Sequence, residues 1–373
     1  ASWATPDEAY FAALSGLPPP YTQEVLNEKV RAALTMQSEA EREEAWTEIL
    51  SALHEQATEL PFAGKRIPAV TGKRLAGYTP GHQQFDYPAH SIRVLNGPRT
   101  VTVAPGAQTG LFSNETGVGR LDAHSYRPNE FFANNWVYDG LVDYGAGGKV
   151  LPALATSWSV ADRPGRDGQE YTFKLREGVE FSDGAAWNCS VAELNIAHVL
   201  APPLTTADYH GWYGLPGQID GWRCADDYTL VLTTKEFYYP LLQELSFIRP
   251  LRMMSPNMFV GGLASDPLTQ NSCPVGWGNV TDSGVTVNCA GIVGGGVSEG
   301  GTVSGTGRWS YDKTVKNDDG SIEEVHFTVN EDHWDAPSGN HPTRMVVVSY
   351  PSHDAVKAAL IDGSLDAVMG AGV

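Results

Sequence analysis

The sequence predicts an α/β fold in which mixed sheets are flanked by helices. Three observations point there. Apolar residues recur at helical spacing near the start of the chain, apolar runs of strand length recur through the rest, and the two kinds interleave. Turn-forming residues, with 40 Gly and 24 Pro, separate many short elements. No short-period repeat points to a solenoid.

Residues 22–60 read as helix. Ser38 is an N-cap, and Glu41 three residues on completes a capping box. Trp46, Ile49, Leu50, Leu53 and Ala57 recur on one face, and Pro61 stops the run. Residues 62–97, rich in Pro, Gly and His, read as an extended return segment. "TVTVA" at 100–104 alternates like a strand. Residues 105–120 are Gly/Ser/Asn-rich and read as a linker or wide loop. A helix is expected over 129–141, then a Gly-rich turn at 145–148. "GRDG" at 165–168 is a turn between strands; "EYTFKL" (170–175) and "VEF" (179–181) are strands joined by "REG". A helix from Ser190 carries Val191, Leu194, Ile196, Val199 and Leu200. A strand at 228–234 and a short helix at 238–247 opened by Pro240 follow. Residues 262–308 are a long polar loop region, in which "GGGVSEGG" is a flexible loop. Strands at 325–330, 344–350 and 365–370 enclose a helix at 354–361.

The 373 residues suffice for two or three domains. Acidic residues outnumber basic ones 44 to 25, which argues against nucleic acid or anionic membrane as partner and reads as a soluble surface. No run approaches the roughly 18 apolar residues of a membrane helix, so no membrane insertion is expected. The start at Ala1, with neither Met nor signal peptide, reads as a processed or trimmed chain. Four cysteines without a CxxC pair argue against a zinc ribbon or redox motif and for two disulfides. Cys273 and Cys289 bracket a Gly-rich loop and are the favoured local pair, leaving Cys189 with Cys224; three connectivities stay open. Sequons stand at Asn114, Asn188 and Asn279. With the cysteines they favour a eukaryotic secretory route and an extracellular or periplasmic location. No GxSxG, Walker or HExxH motif is present, and the expectation is a non-enzyme. His124, His198, His210, His326, His333, His341 and His353 are scattered, with no HxH or HxxxH pair to found a metal site.

Several motifs together resemble the nickel-binding branch of the dipeptide/nickel solute-binding proteins, family 5. They are "VYDGLVDYGAGGKVLPALATSWSV", "EYTFKLREGVEFSDG", "YYPLLQELSFIRPLRMMSPNMF", "GTGRW" and "VKAALIDGSLDAVMG". The resemblance implies a class II (cluster C) periplasmic-binding-protein fold. The order of parts differs from the family's. "LNEKVRAALTMQSEAEREEAWTEILSALHEQATELPF" and "ASWATPDEAYFAAL" resemble its carboxy end, so the expected fold is circularly permuted and partial. Residues 1–97 then correspond to the carboxy end, 98–147 to the start of lobe 1, 148–304 to its inserted second domain, and 305–373 to the return to lobe 1 up to the hinge. The favoured origin is a tandem array, with another chain or copy completing the second lobe.

In this family the ligand lies between the lobes. The resemblance places Arg249 against the anionic part of a ligand, where a planar guanidinium suits a carboxylate. It places Trp212, beside His210, and Trp3 as stacking walls on opposite lobes. Phe131 stands where the nickel branch has a methionine, and Tyr209 where it has a second arginine. The tyrosine expected after Trp3 is absent, and residues 1–53 contain no histidine to serve as the branch's direct metal ligand. Losing one charged donor costs an anionic chelate about 1–3 kcal/mol. The expected ligand is a nickel or other metal chelate, or a short peptide. The competing reading is an assembly protein built from tandem binding units that transport nothing.

Overall fold

The computed structural model describes residues 23–55, 69–79, 81, 88–105, 121, 123–124, 135–200, 215–247, 251–259, 261–264, 280–281, 284–285, 303–320 and 322–369. Helices α1 (Gln23–Thr35) and α2 (Glu39–Glu55) come first. The break between them is the expected cap: Ser38 Oγ accepts from Glu41 N at 3.4 Å. Arg42 bridges the turn by donating to the carbonyls of Met36 and Gln37, and its guanidinium lies 4.7 Å from the Tyr239 ring centre. Leu26, Val30 and Ala33, spaced i, i+4, i+7, are buried, as are Ile49 and Leu53. Leu50 is not part of that face: it is 55% exposed, because one helical step from Ile49 turns it about 100° away.

Short extended pieces follow: β1 (Val70–Thr71), β2 (Leu75–Ala76), β3 (Arg93–Val94) and β4 (Thr100–Pro105). Then come β5 (Val142–Tyr144), β6 (Val150–Pro152), β7 (Ala155–Asp162) and β8 (Gln169–Leu175). Next are α3 (Cys189–Val199), α4 (Leu215–Gln218), β9 (Ile219–Asp226), β10 (Thr229–Thr234) and α5 (Leu241–Leu245). A two-residue pair, β11 (Val280–Thr281) and β12 (Gly284–Val285), precedes β13 (Trp309–Lys316), β14 (Ile322–Val329), β15 (Arg344–Val348), α6 (His353–Asp362) and β16 (Ala367–Met369).

The larger sheet has the order β1-β16-β4-β15-β14-β13. Its central strand β4 pairs in parallel with both β15 and β16, and the outer pairs are antiparallel. Central parallel strands are covered on both faces: β15 reads as a near-continuous apolar run, while β4 alternates Thr and Val and buries Val101, Val103 and Ala104. One face buries Val101, Val103, Trp136, Trp309, Phe327 and Met345 in a first core. The other packs Ala104 and Val368 against Ala359 and Leu365. Helix α6 starts at a Ser352 cap and ends at Gly363, whose φ of 85° is a left-handed C-cap.

The smaller sheet, β7-β8-β10-β9, is antiparallel throughout. Strand β8 alternates as a half-buried strand must: Tyr171, Phe173 and Leu175 face a second core and Lys174 faces solvent. Helix α3, capped by Asn188 Oδ1 on Val191 N, packs on that core together with α1 and α2. Each fully buried Leu, Ile or Phe here contributes about 1.5–3 kcal/mol. The disulfide predicted as the second pair is present: Cys189 joins Cys224, fixing the first turn of α3 to β9. Cys273 and Cys289 lie outside the described residues.

Several expectations need correction. "VEF" is not a hairpin strand; Glu180 makes only an isolated bridge to Ala186, and β8 pairs instead with β7 and β10. The tight loop closed by Phe181 N on Ala185 O and Gly184 N on Phe181 O takes its place. The helix expected over 129–141 has ended by Val137. There the chain must turn into the second core, and Asp139 and Gly140 form the crossing.

The family-like motifs prove to be joints between the cores. In "FSDG", Ser182 Oγ meets Ser304 Oγ at 3.1 Å, and Asp183 Oδ2 accepts from Ser255 Oγ at 2.6 Å. In "GTGRW", a Cβ on Gly305 would collide with Val137 O and one on Gly307 with Trp136 O. The close backbone approach admits only glycine. Between them Thr306 Oγ1 donates to Asp139 Oδ2 at 2.8 Å.

Candidate functional site

Two passages of the chain between the cores lie within the described residues. Tyr138 belongs to the first core and Leu141 to the second; Met253 belongs to the second and Met254 to the first. The two crossings lie side by side, with Met253 N donating to Asp139 O at 2.9 Å. The wholly buried Asn195 of α3 fixes the return crossing: its Oδ1 accepts from Met254 N at 2.8 Å while Nδ2 donates to Met254 O at 3.0 Å.

The predicted ligand residues Trp3, Phe131, Tyr209, His210, Trp212 and Arg249 all lie outside the described residues, as do Asn114 and Asn279. What is described is where the stretches carrying five of them leave the scaffold. Stretch 125–134 holds Phe131, stretch 201–214 holds Tyr209, His210 and Trp212, and stretch 248–250 holds Arg249. His124 stands directly before the first, His198 near the start of the second, and Arg252 just after the third. These three residues meet. His124 Nδ1 is 2.6 Å from His198 Nδ1, and His124 Nε2 is 2.7 Å from Arg252 O. A carbonyl can only accept, so His124 carries a proton on Nε2. When it is neutral, its Nδ1 then accepts from His198 Nδ1–H. Both rings are buried, and Phe259 packs edge-on against His198 at 5.1 Å between centres.

The scaffold at the far ends of the second and third stretches is also tied together. Glu244, buried in α5, accepts from Leu215 N at 2.7 Å and from Tyr238 Oη at 2.6 Å. The buried Arg252 guanidinium donates from Nη2 to Ser246 O at 3.2 Å and stands 3.8 Å from Asp143. That carboxylate is largely solvated, so the pair is a weak one.

A second polar cluster lies beside the crossing. Asp335 N donates to His333 Nδ1 at 3.0 Å, so neutral His333 carries its proton on Nε2, which lies 3.5 Å from Asp139 Oδ2. Burial opposes the charge on Asp139. The hydrogen bonds from His333 and Thr306, with the positive charge of Arg308, outweigh it and hold the carboxyl below its ordinary value. His90 is shifted down to about 4, first by burial and then by the Arg308 charge, against opposing pulls from Asp335 and Asp143. It therefore stays neutral at physiological pH.

The histidine pair is what sequence reasoning missed. Residues 74 positions apart give no spacing motif, and each looked like an isolated satisfied residue. Among the described residues no group of three or more His, Cys, Asp or Glu is placed to hold a metal ion. Asn188 is half-buried and spends its Oδ1 on the α3 cap. No described helix is long and apolar enough to cross a membrane.

Known proteins resemble the chain in sequence and fold. Residues 149–372 match the model of the middle region of bacterial extracellular solute-binding proteins, family 5. Over 142 residues the chain is 39% identical to the nickel-binding periplasmic protein of Escherichia coli K12, covering 38% of this chain and 26% of that one. Over 92 residues it is 38% identical to di/tripeptide-binding protein 1 of Pseudomonas aeruginosa, covering 23% and 16% respectively. The crystal structure of NikA from Brucella suis in complex with Fe(III)-EDTA superposes with a TM-score of 0.51 at 30% identity, covering 72% of this chain and 42% of that one. The chain thus spans less than half the length of these relatives. With the match running through more than half its residues, the chain belongs to family 5 of the bacterial extracellular solute-binding proteins.

Proposed function

We propose that this chain binds a small anionic ligand, a metal chelate such as a nickel complex or a short peptide, between two lobes, outside the cytoplasm and without covalent chemistry. The observation that carries this reading is the meeting of His124, His198 and Arg252. It brings together the roots of the three stretches that hold Phe131, Tyr209, His210, Trp212 and Arg249. Described residues flanking three distant stretches of sequence thereby meet at the junction of two cores, which supports a shared site for those stretches. Relatives named for nickel and for di- and tripeptides fit the same ligand classes. Arg249 supplies the fork for a carboxylate, and Trp212 and Trp3 the stacking walls.

The permuted order gains support from the packing of the first hundred residues. Helices α1 and α2 close the second core, and 75–94 contribute Leu75, Ala89, Ile92 and Val94 to the first, as a carboxy-terminal return would. The rest of the second lobe then comes from further sequence, another chain or another copy. The competing reading remains an assembly protein built from tandem binding units that transport nothing.

Calorimetric titration with the nickel(II)–L-histidine complex and with a dipeptide panel separates the two readings. Saturable binding to one class is expected, weakened roughly 10- to 100-fold by Arg249→Ala. Absence of binding to every probe, with a native mass spectrum containing only multiples of the chain, would establish the assembly reading.

A further inference from the structure

We propose that Asn96 is a self-modification site, converting spontaneously to aspartate and isoaspartate, and that the conversion loosens the attachment of the β2–β3 pair to the larger sheet. Asn96 and Gly97 sit in the exposed turn between β3 and β4. Gly97 has φ +78°, and nothing lies within 4 Å of where a Cβ would stand. Neither the Asn96 side chain nor the Gly97 N–H makes a hydrogen bond among the described residues. The main-chain nitrogen that must attack is therefore unshielded by a side chain, unengaged and open to solvent base.

The chemistry needs only water. Gly97 N, losing its proton to solvent, attacks Asn96 Cγ; a C–N bond forms and ammonia leaves, closing a succinimide. Water then opens either carbonyl. One opening gives aspartate, and the other gives isoaspartate, which routes the main chain through the former side chain and lengthens it by a methylene.

The turn is clasped from both sides by one residue. Leu95 N donates to Arg74 O at 2.8 Å, and Arg74 Nη1 donates to Pro98 O at 2.7 Å. The same guanidinium holds Asp366 of the larger sheet and the carbonyl of Thr100. An extra backbone atom between Leu95 and Pro98 cannot keep both contacts with Arg74.

The test is incubation of the purified chain at mildly alkaline pH below its unfolding temperature, followed by peptide mapping and isoaspartate-specific methyl acceptance. Acid and isoaspartate are expected at Asn96 well before Asn330 and Asn340, whose side-chain amides are hydrogen-bonded. Methyl acceptance in this region should vanish in Asn96→Gln. The aged wild type should melt a few degrees lower than fresh protein, aged Asn96→Gln should not, and fresh Asn96→Asp isolates the effect of charge alone. Intact Asn96 under conditions that convert it in the urea-unfolded chain would overturn the site. An unchanged melting temperature in fully converted protein would overturn the loosening.

Discussion

His90 and Asp139 lie in one polar cluster and lose stability at different pH. The folded state holds His90 neutral down to about 4, whereas an unfolded histidine takes up its proton near 6.5. The unfolded chain binds more protons in that interval, so stability falls as pH drops from about 6.5 to about 4. Asp139 has the depressed pKa of a stabilised carboxylate, so its contribution is intact above the ordinary value near 3.8 and is lost below it. Urea unfolding against pH should show two acid stages: His90→Gln flattens the upper one and Asp139→Asn the lower. At neutral pH Asp139→Asn should also cost about 1–3 kcal/mol, because Thr306 and His333 lose a charged acceptor. Neither residue stands out in sequence. Asp139 is one acid in a "YDG" turn, and His90 sits in a Pro- and His-rich stretch with no period. A buried network joins residues that sequence cannot bring together, and the His124–His198 pair escaped notice for the same reason.

Elements buried on one face were legible and elements at sheet edges were not. β8, β10, β14 and β15 carry alternating or continuous apolar runs, and all were expected close to their observed bounds. β7, β9 and β13 are edge strands, largely solvated, and their sequences "ATSWSVAD", "IDGWRCAD" and "WSYDKTVK" hide the alternation behind polar residues. The helix pair was legible through the Ser38 cap. What no pattern revealed is the ion pair that joins the 69–79 segment to β16. Arg74 grips both oxygens of the buried Asp366, whose Oδ2 also accepts from Thr102 N at 2.8 Å. Arg74→Ala would leave that carboxylate buried with no countercharge, at a cost of about 3–5 kcal/mol in urea unfolding. The double variant Arg74→Met, Asp366→Leu should recover much of the loss, since no charge is then stranded.

Two main cores are joined by adjacent crossings, and one covalent tie lies within the second of them. The tie closes a loop between cysteines 35 residues apart, and a loop of that length contributes about 4 kcal/mol through the unfolded state. Reduction, or Cys189→Ala with Cys224→Ala, should lower the urea midpoint accordingly, and hydrogen exchange should rise first in α3. The family was legible from motifs because those motifs build joints, whereas the candidate ligand residues were legible only through the resemblance. The glycine joint sets an unusual rule for change. The nearest atoms that exclude a side chain at Gly305 and Gly307 are the main-chain oxygens of Val137 and Trp136, which every amino acid possesses. No replacement at 136 or 137 can make room, so a Gly305→Ala lesion has no local suppressor. Sequence can drift on one bank of this contact and is frozen on the other, and covariation between the two banks should be nil even though they touch.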